Sequence, residues 1–194
     1  MGQYYIPLLI AEDGEVTTLY AHDFDDGLKL MEHSWIGFAL VNAVLSLIHN
    51  QKKKVAWIGD YSKGWYECGY SKAMPEDFLE YYKMAWDRSV REKYRKTFIS
   101  FTSEDLNLLT TKTKDKGFLV NHDKQQFLDM NEYYEQSADI SFLGWCINPL
   151  PLLTACGNGE GGGDYRENCP NFDMCGMWAF DTLEYTENEP DKYE

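Results

Sequence analysis

The sequence predicts an α+β protein, a mainly antiparallel sheet carrying two principal helices. Three observations point that way. β-Prone stretches fold back on polar turns twice, at residues 4–20 and 117–130. Two helical patterns, at 34–50 and from residue 75, lie between those hairpins. Apolar residues make up 44% of the 194 and aromatics 15%, enough large apolar surface to offset the entropy of ordering a core.

Tyr4 to Ala11 is β-rich, Glu12-Asp13-Gly14 is a turn, and Glu15 to Tyr20 returns as a second strand. Pro7 has no N–H to give a neighbour, which places the first strand at an edge or on a bulge. After an acidic loop from His22 to Gly27, Ser34 offers an N-cap for a helix running to about Asn50. That helix is apolar almost all round, so burial on most sides is expected. Lys52 to Lys54 complement its negative pole. Val55 to Tyr61 reads as a short central strand. Pro75-Glu76-Asp77 starts a second helix, with Phe78, Tyr82, Ala85 and Trp86 on one face. Arg88, Arg91, Lys93, Arg95 and Lys96 load its far end, where they suit the dipole. Gly117 to Asn121 and Gln126 to Met130 flank the polar turn 122–125. A strand at Ser141 to Ile147, a short helix started by Pro149 and Pro151, a glycine-rich loop and a last strand at Met177 to Tyr185 complete the order. Residues 1–186 form one domain in this reading, with a helical insertion at 62–116 and a disordered acidic tail at 187–194.

With 32 acidic and 18 basic residues the chain carries a net charge of −14. Nucleic acid repels such a chain unless its cations cluster, so no direct nucleic-acid contact is expected. The acidity suits solubility, a basic host protein as partner, or mimicry of a nucleic acid's own charge. No apolar run reaches the ~18 residues of a membrane span. The first residues show neither a basic leader nor a myristoylation signal, which predicts a cytoplasmic protein without membrane contact. Five cysteines at irregular spacings, with no Cys-x-x-Cys, read as reduced thiols. Cys169 and Cys175 lack the further ligands of a zinc set. No cofactor and no metal is expected, and a homodimer stays open.

Each half of the chain carries the same order of parts. Leu8 to Asp13 resembles Phe118 to Asp123, and a Trp-x-x-Asp spacing recurs at Trp57/Asp60 and Trp178/Asp181. Duplication, with pseudo-repeats 1–61 and 117–186 about a twofold axis, and coincidence both remain open. Duplication would set the Asp23 to Gly27 loop and the glycine loop at related positions.

Gly2-Gln3-Tyr4-Tyr5, Gly27-Leu28-Lys29-Leu30-Met31-Glu32, Trp57-Ile58-Gly59-Asp60-Tyr61 and the Gly157 to Tyr165 loop together resemble a family of small uncharacterised proteins of bacteria, their phages and mobile elements, with related sequences in fungi. Val120 to Lys124 is similar to that family's Asn-x-(Asp/Thr)-Lys-Lys hairpin. The resemblance covers most of the chain outside residues 62–116. It implies architecture and brings no activity with it. Where the family's loop has Arg, this sequence has Glu160, which speaks against anion binding here.

Five glycines in the seven residues Gly157 to Gly163 carry a large entropic cost unless the backbone needs unusual dihedrals or close approach. Successive N–H groups in such a loop can cradle an anion. No Gly-Lys-Ser/Thr follows, so this is no P-loop; no strand leads into it and no helix leaves it, so it is no dinucleotide fingerprint. The candidate ligand-binding residues are Gly157, Asn158, Gly159, Gly161, Gly162, Gly163, Asp164, Tyr165 and Arg166. Backbone amides and Arg166 would hold a phosphate or carboxylate, and Asp164 a hydroxyl or amino group. A tight structural crossing accounts for the same glycines. Asp60 and two available histidines, His22 and His122, are secondary candidates. Asp23, Asp25 and Asp26 offer hard oxygen ligands but lack the rest of a calcium loop. Trp57, Trp178, Tyr61 and Tyr165 suit buried core better than a stacked base.

Three functions compete. A small-ligand binding protein, sensing or sequestering a nucleotide-like anion through the glycine loop, comes first. An acidic, phage-type inhibitor that occupies a basic nucleic-acid groove on a host defence protein comes second. An enzyme, such as a hydrolase of a nucleotide-like substrate using Asp164 or His122, comes third; no Gly-x-Ser-x-Gly or His-Glu-x-x-His motif supports it.

Overall fold

The computed structural model describes residues 2–62, 74–96, 116–137 and 146–191. Along the chain these are β1 (Tyr5–Ala11), β2 (Val16–Leu19), α1 (Leu30–His33), α2 (Ala39–Leu47), β3 (Lys53–Gly59), α3 (Phe78–Trp86), α4 (Arg88–Arg91), β4 (Arg95–Lys96), β5 (Phe118–Asn121), β6 (Gln126–Asp129), α5 (Met130–Ser137), α6 (Pro149–Thr154), β7 (Ala155–Cys156) and β8 (Thr182–Thr186). The fold is α+β. Its strands join in one sheet in the order β4-β2-β1-β3-β8-β5-β6, with β7 also paired to β3. Among the described strands only the β2–β4 and β3–β7 pairs are parallel.

Both hairpins form where the sequence predicts them, and β3 lies at the centre. The second edge of β3 is shared. Lys53 and Lys54 pair with Leu183 and Thr182, and further along Trp57 and Ile58 pair with Ala155 and Cys156. Side chains alternate between two cores, as a pleated strand requires. Tyr5, Leu9, Val55 and Trp57 face α2 and α6, whereas Ile6, Leu8, Ala56 and Ile58 face α3 through Phe78, Tyr82, Ala85 and Trp86. This double burial explains why β1 and β3 read as continuous apolar runs.

Four sequence expectations need correction. Pro7 sits on an interior strand. Tyr5 N donates to Leu28 O and Ala11 N to Glu15 O, so odd residues of β1 address the β2 side. Pro7 therefore points where pairing with β2 has already stopped at Leu8↔Thr18, and no ladder bond is lost. Ser34 does not start the long helix. Its hydroxyl donates to Leu30 O and closes α1; α2 begins at Ala39, and Asp26 Oδ2 accepts from Leu40 N at 3.0 Å to serve its amino end. The second helix stops at Trp86, where Asp87 turns extended and caps α4. Of its cations only Arg88 and Arg91 lie in a last helical turn, that of α4 and not of α3; Arg91 and Arg95 lie over the Tyr20 ring at 5.3 and 5.0 Å, and Arg95 forks on to Asp23. The last strand begins at Thr182; Met177 to Phe180 are turn.

On either side of the β3–β8 seam the order is the same, β2-β1-β3 and β6-β5-β8. A single row, Ala11–Lys53–Leu183–Asn121, crosses it. That row matches Lys53 with Leu183, so the counterpart of Trp57 is Glu187. Trp178 lies in the turn before β8, and the Trp-x-x-Asp match does not follow the sheet. The strand expected at 141–147 lies largely outside the described residues, as does most of the 62–116 insertion. No helix among the described residues is long and apolar enough to cross a membrane.

Candidate functional site

Four sequence segments meet at the end of the sheet where β1 begins and β3 ends. β7 does lead directly into the glycine loop, contrary to the sequence reading, and because it runs parallel to β3 it delivers the loop beside Gly59 and Asp60. Gln3 lies at the centre, fully buried. Its amide nitrogen faces Asp164 Oδ2 at 2.8 Å, Asn158 Oδ1 at 2.7 Å and the Tyr5 hydroxyl at 2.9 Å, while its oxygen accepts from Tyr61 N at 3.2 Å. That orientation satisfies both ends of the amide.

The glycines make room for this knot. A Cβ on Gly157 would stand 2.8 Å from Tyr5 Cζ, and one on Gly161 would stand 2.6 Å from Gln3 N. Gly163, at φ +88°, would drive a Cβ to 2.6 Å from Lys29 Cδ. Gly162 bridges to Gly2, and Met31 N donates to Gly163 O. Lys29 completes the contact by pairing with Glu32 at 2.8 Å. Close approach to the protein's own residues accounts for these glycines: the Tyr5 side chain for Gly157, Gln3 for Gly161, Gly2 for Gly162 and the Lys29 side chain for Gly163.

The loop's donors are turned on itself. Glu160 N donates to Asn158 Oδ1, Gly161 N to Asp164 Oδ2 at 2.8 Å, and Asp164 N to Gly161 O. Arg166 donates to the carbonyls of Gly159, Glu160 and Gly161 at 2.7, 2.9 and 3.0 Å. An anion nest needs N–H groups that point outward and a cation left over. Here Gly159 and Arg166 serve the loop's own closure. Tyr165 is wholly inside the main core, where burial pushes its hydroxyl well above the usual value.

Asp164 is 3% exposed, and its Oδ1 has no hydrogen-bond partner among the described residues. Burial raises its pKa to about 6; the Gly161 amide, the Tyr5 hydroxyl and Arg166 oppose that rise, and Asp60 adds to it. Asp60, raised by burial too, accepts from Tyr4 N at 3.1 Å. Asp60 and the loop therefore share one site.

The histidines do not join it. His122 Nε2 meets Glu184 Oε2 at 2.8 Å in the β5–β6 turn, level with Lys53. The glycine loop starts level with Gly59, six residues or about 20 Å further along β3, which sets His122 apart from it. His22 lies against Tyr20 and the Asp26 carbonyl. The three acids of that loop part company: Asp23 takes Arg95, Asp26 takes Leu40 N, and Asp25 is exposed in a left-handed turn. Among the described residues no group of three or more His, Cys, Asp or Glu could hold a metal ion. Trp57 and Trp178 are buried in the main core. Sequence reasoning missed Gln3, Tyr5 and Lys29, which hold the loop; the resemblance around Gly2 to Tyr5 and Gly27 to Glu32 was the available signal. Compared with protein-family models, curated proteins and solved structures, the chain finds no match.

Proposed function

We propose that this chain is an acidic interaction protein that engages a basic, nucleic-acid-binding groove on a protein partner in the cytoplasm. One observation carries the reading: the chain has a net charge of −14, and several of its few cations are taken up by its own acids while other carboxylates face solvent. Lys29, Arg95, Lys96 and Lys124 pair with Glu32, Asp23, Glu15 and Asp181, and Arg166 is spent on loop carbonyls. Glu12, Asp13, Asp25, Glu160, Glu167 and Asp173 are exposed and enter no ion pair within 4.0 Å among the described residues. A surface of this kind attracts a concentrated positive field and repels nucleic acid, whose place it can take. The small-ligand reading loses its basis because the glycine loop is packed on its own interior.

The test is affinity capture on the immobilised chain with a set of basic nucleic-acid-binding proteins and neutral controls. Retention should favour the basic set, compete with added duplex, and vanish near 1 M salt, where screening shortens to ~3 Å. Retention indifferent to salt and duplex, or none at all, ends the proposal.

A further inference from the structure

We propose that Asp164 works as a proton-operated clasp, holding loop 157–163 down on Gln3 when its carboxyl is neutral and loosening it when the carboxyl ionises. The geometry comes first. One oxygen, Oδ2, accepts both the Gly161 amide and the Gln3 amide nitrogen, so this single atom joins the loop to the start of β1. The other, Oδ1, is buried and accepts no hydrogen bond among the described residues. A proton on this carboxyl therefore belongs on Oδ1, leaving Oδ2 free to accept. Without it, a full negative charge is shut away with Oδ1 unserved.

The surroundings do not neutralise that charge. From β1 the Tyr5 hydroxyl faces the group, from the end of β3 the Asp60 carboxyl, and from the loop itself Arg166; the Cys175 thiol, buried in the turn beyond, feels it as well. Asp60 is repulsive, and Arg166 has its guanidinium committed to three carbonyls. Opening the loop hydrates Asp164 and returns it to an ordinary acid. Closing favours the neutral form, in keeping with its raised pKa. The sign follows: the closed loop gains on the open one as pH falls from about 6 toward 3.8 and is loosest above 7. Gly2 and Gln3, tied to the loop through the Gly2–Gly162 bridge, are released with it.

Hydrogen exchange of the Gly161 amide reads the opening directly, because its acceptor is Asp164 itself. After correction for intrinsic exchange, the opening constant should fall about tenfold between pH 7 and pH 5, as expected for a group moving from about 6 to 3.8. In Asp164→Asn the constant should stay flat over that range. A flat profile in the wild type, or the same slope in the variant, overturns the clasp. Should the variant not fold, carboxyl NMR of the wild type decides. A titration midpoint for Asp164 near 6 that coincides with the exchange profile upholds it, and a midpoint near 4 sinks it.

Discussion

The indole Nε1–H of Trp57 donates to Nε2 of His33 at 3.0 Å, between β3 and α1. His33 Nδ1 lies 2.8 Å from the Gly27 carbonyl, which accepts its proton. Both ring nitrogens are thereby used in the neutral form, and the histidine serves as a bolt in the core.

Burial pulls the His33 pKa down to about 4, against the Gly27 carbonyl and Glu32, which raise it. The unfolded chain therefore takes up the proton first. Stability from His33 is complete above pH 6.5 and is lost as pH falls toward 4, by about 3 kcal/mol in all. The stability difference between wild type and His33→Gln, from urea unfolding, should shrink by about 2–3 kcal/mol between pH 7 and 4.5. A constant difference would show that the histidine is charged in the fold.

Asp26 behaves in the opposite sense. Burial raises it to about 6, despite the Leu40 N–H that lowers it. Asp26→Asn keeps an acceptor for that N–H and removes the charge. The variant should melt higher than wild type above pH 6, with the gap closing as pH falls toward 3.8. A gap that widens on acidification contradicts this.

Two glycines separate conformational from steric demand. Gly14, at φ +85° with open space around it, should cost only about 1 kcal/mol on change to Ala. Gly161→Ala presses on the Gln3 backbone and should cost about 2–4 kcal/mol. Equal losses in denaturant midpoints would mean that the Gln3 contact is slack.

Arg166→Ala removes three donors from loop carbonyls, so stability should fall by about 1–3 kcal/mol. Because the arginine is a staple here, phosphate or nucleotide should shift the Tm of neither wild type nor variant. A phosphate-dependent rise confined to wild type would restore the anion-binding reading.

Local signals were legible where chemistry is local. Both hairpins, the Pro149 helix capped by Asn148 and the amphipathic face of α3 follow from turn residues and periodicity. Pairings distant in sequence were not. Nothing near Ser34 says that Asp26 will reach Leu40 N, and nothing near Pro7 says that β2 will stop short of it. The glycine loop was visible as a backbone demand, but the direction of its N–H groups depends on Gln3, more than 150 residues earlier. Glycine enrichment signals close approach and does not say to what.

The sheet's outer margins carry a practical consequence. At one margin Arg95 and Lys96 of β4 lie along Thr18 and Leu19 of β2. Arg95 joined to Asp23 and Lys96 to Glu15 make that margin a row of ion pairs, a poor surface for another copy's strand to dock on. Replace both with valine, and the same margin presents uncharged, β-prone side chains suited to edge-to-edge aggregation. Concentrated stocks of Arg95→Val/Lys96→Val should cloud and thicken on standing, where the unaltered protein stays clear.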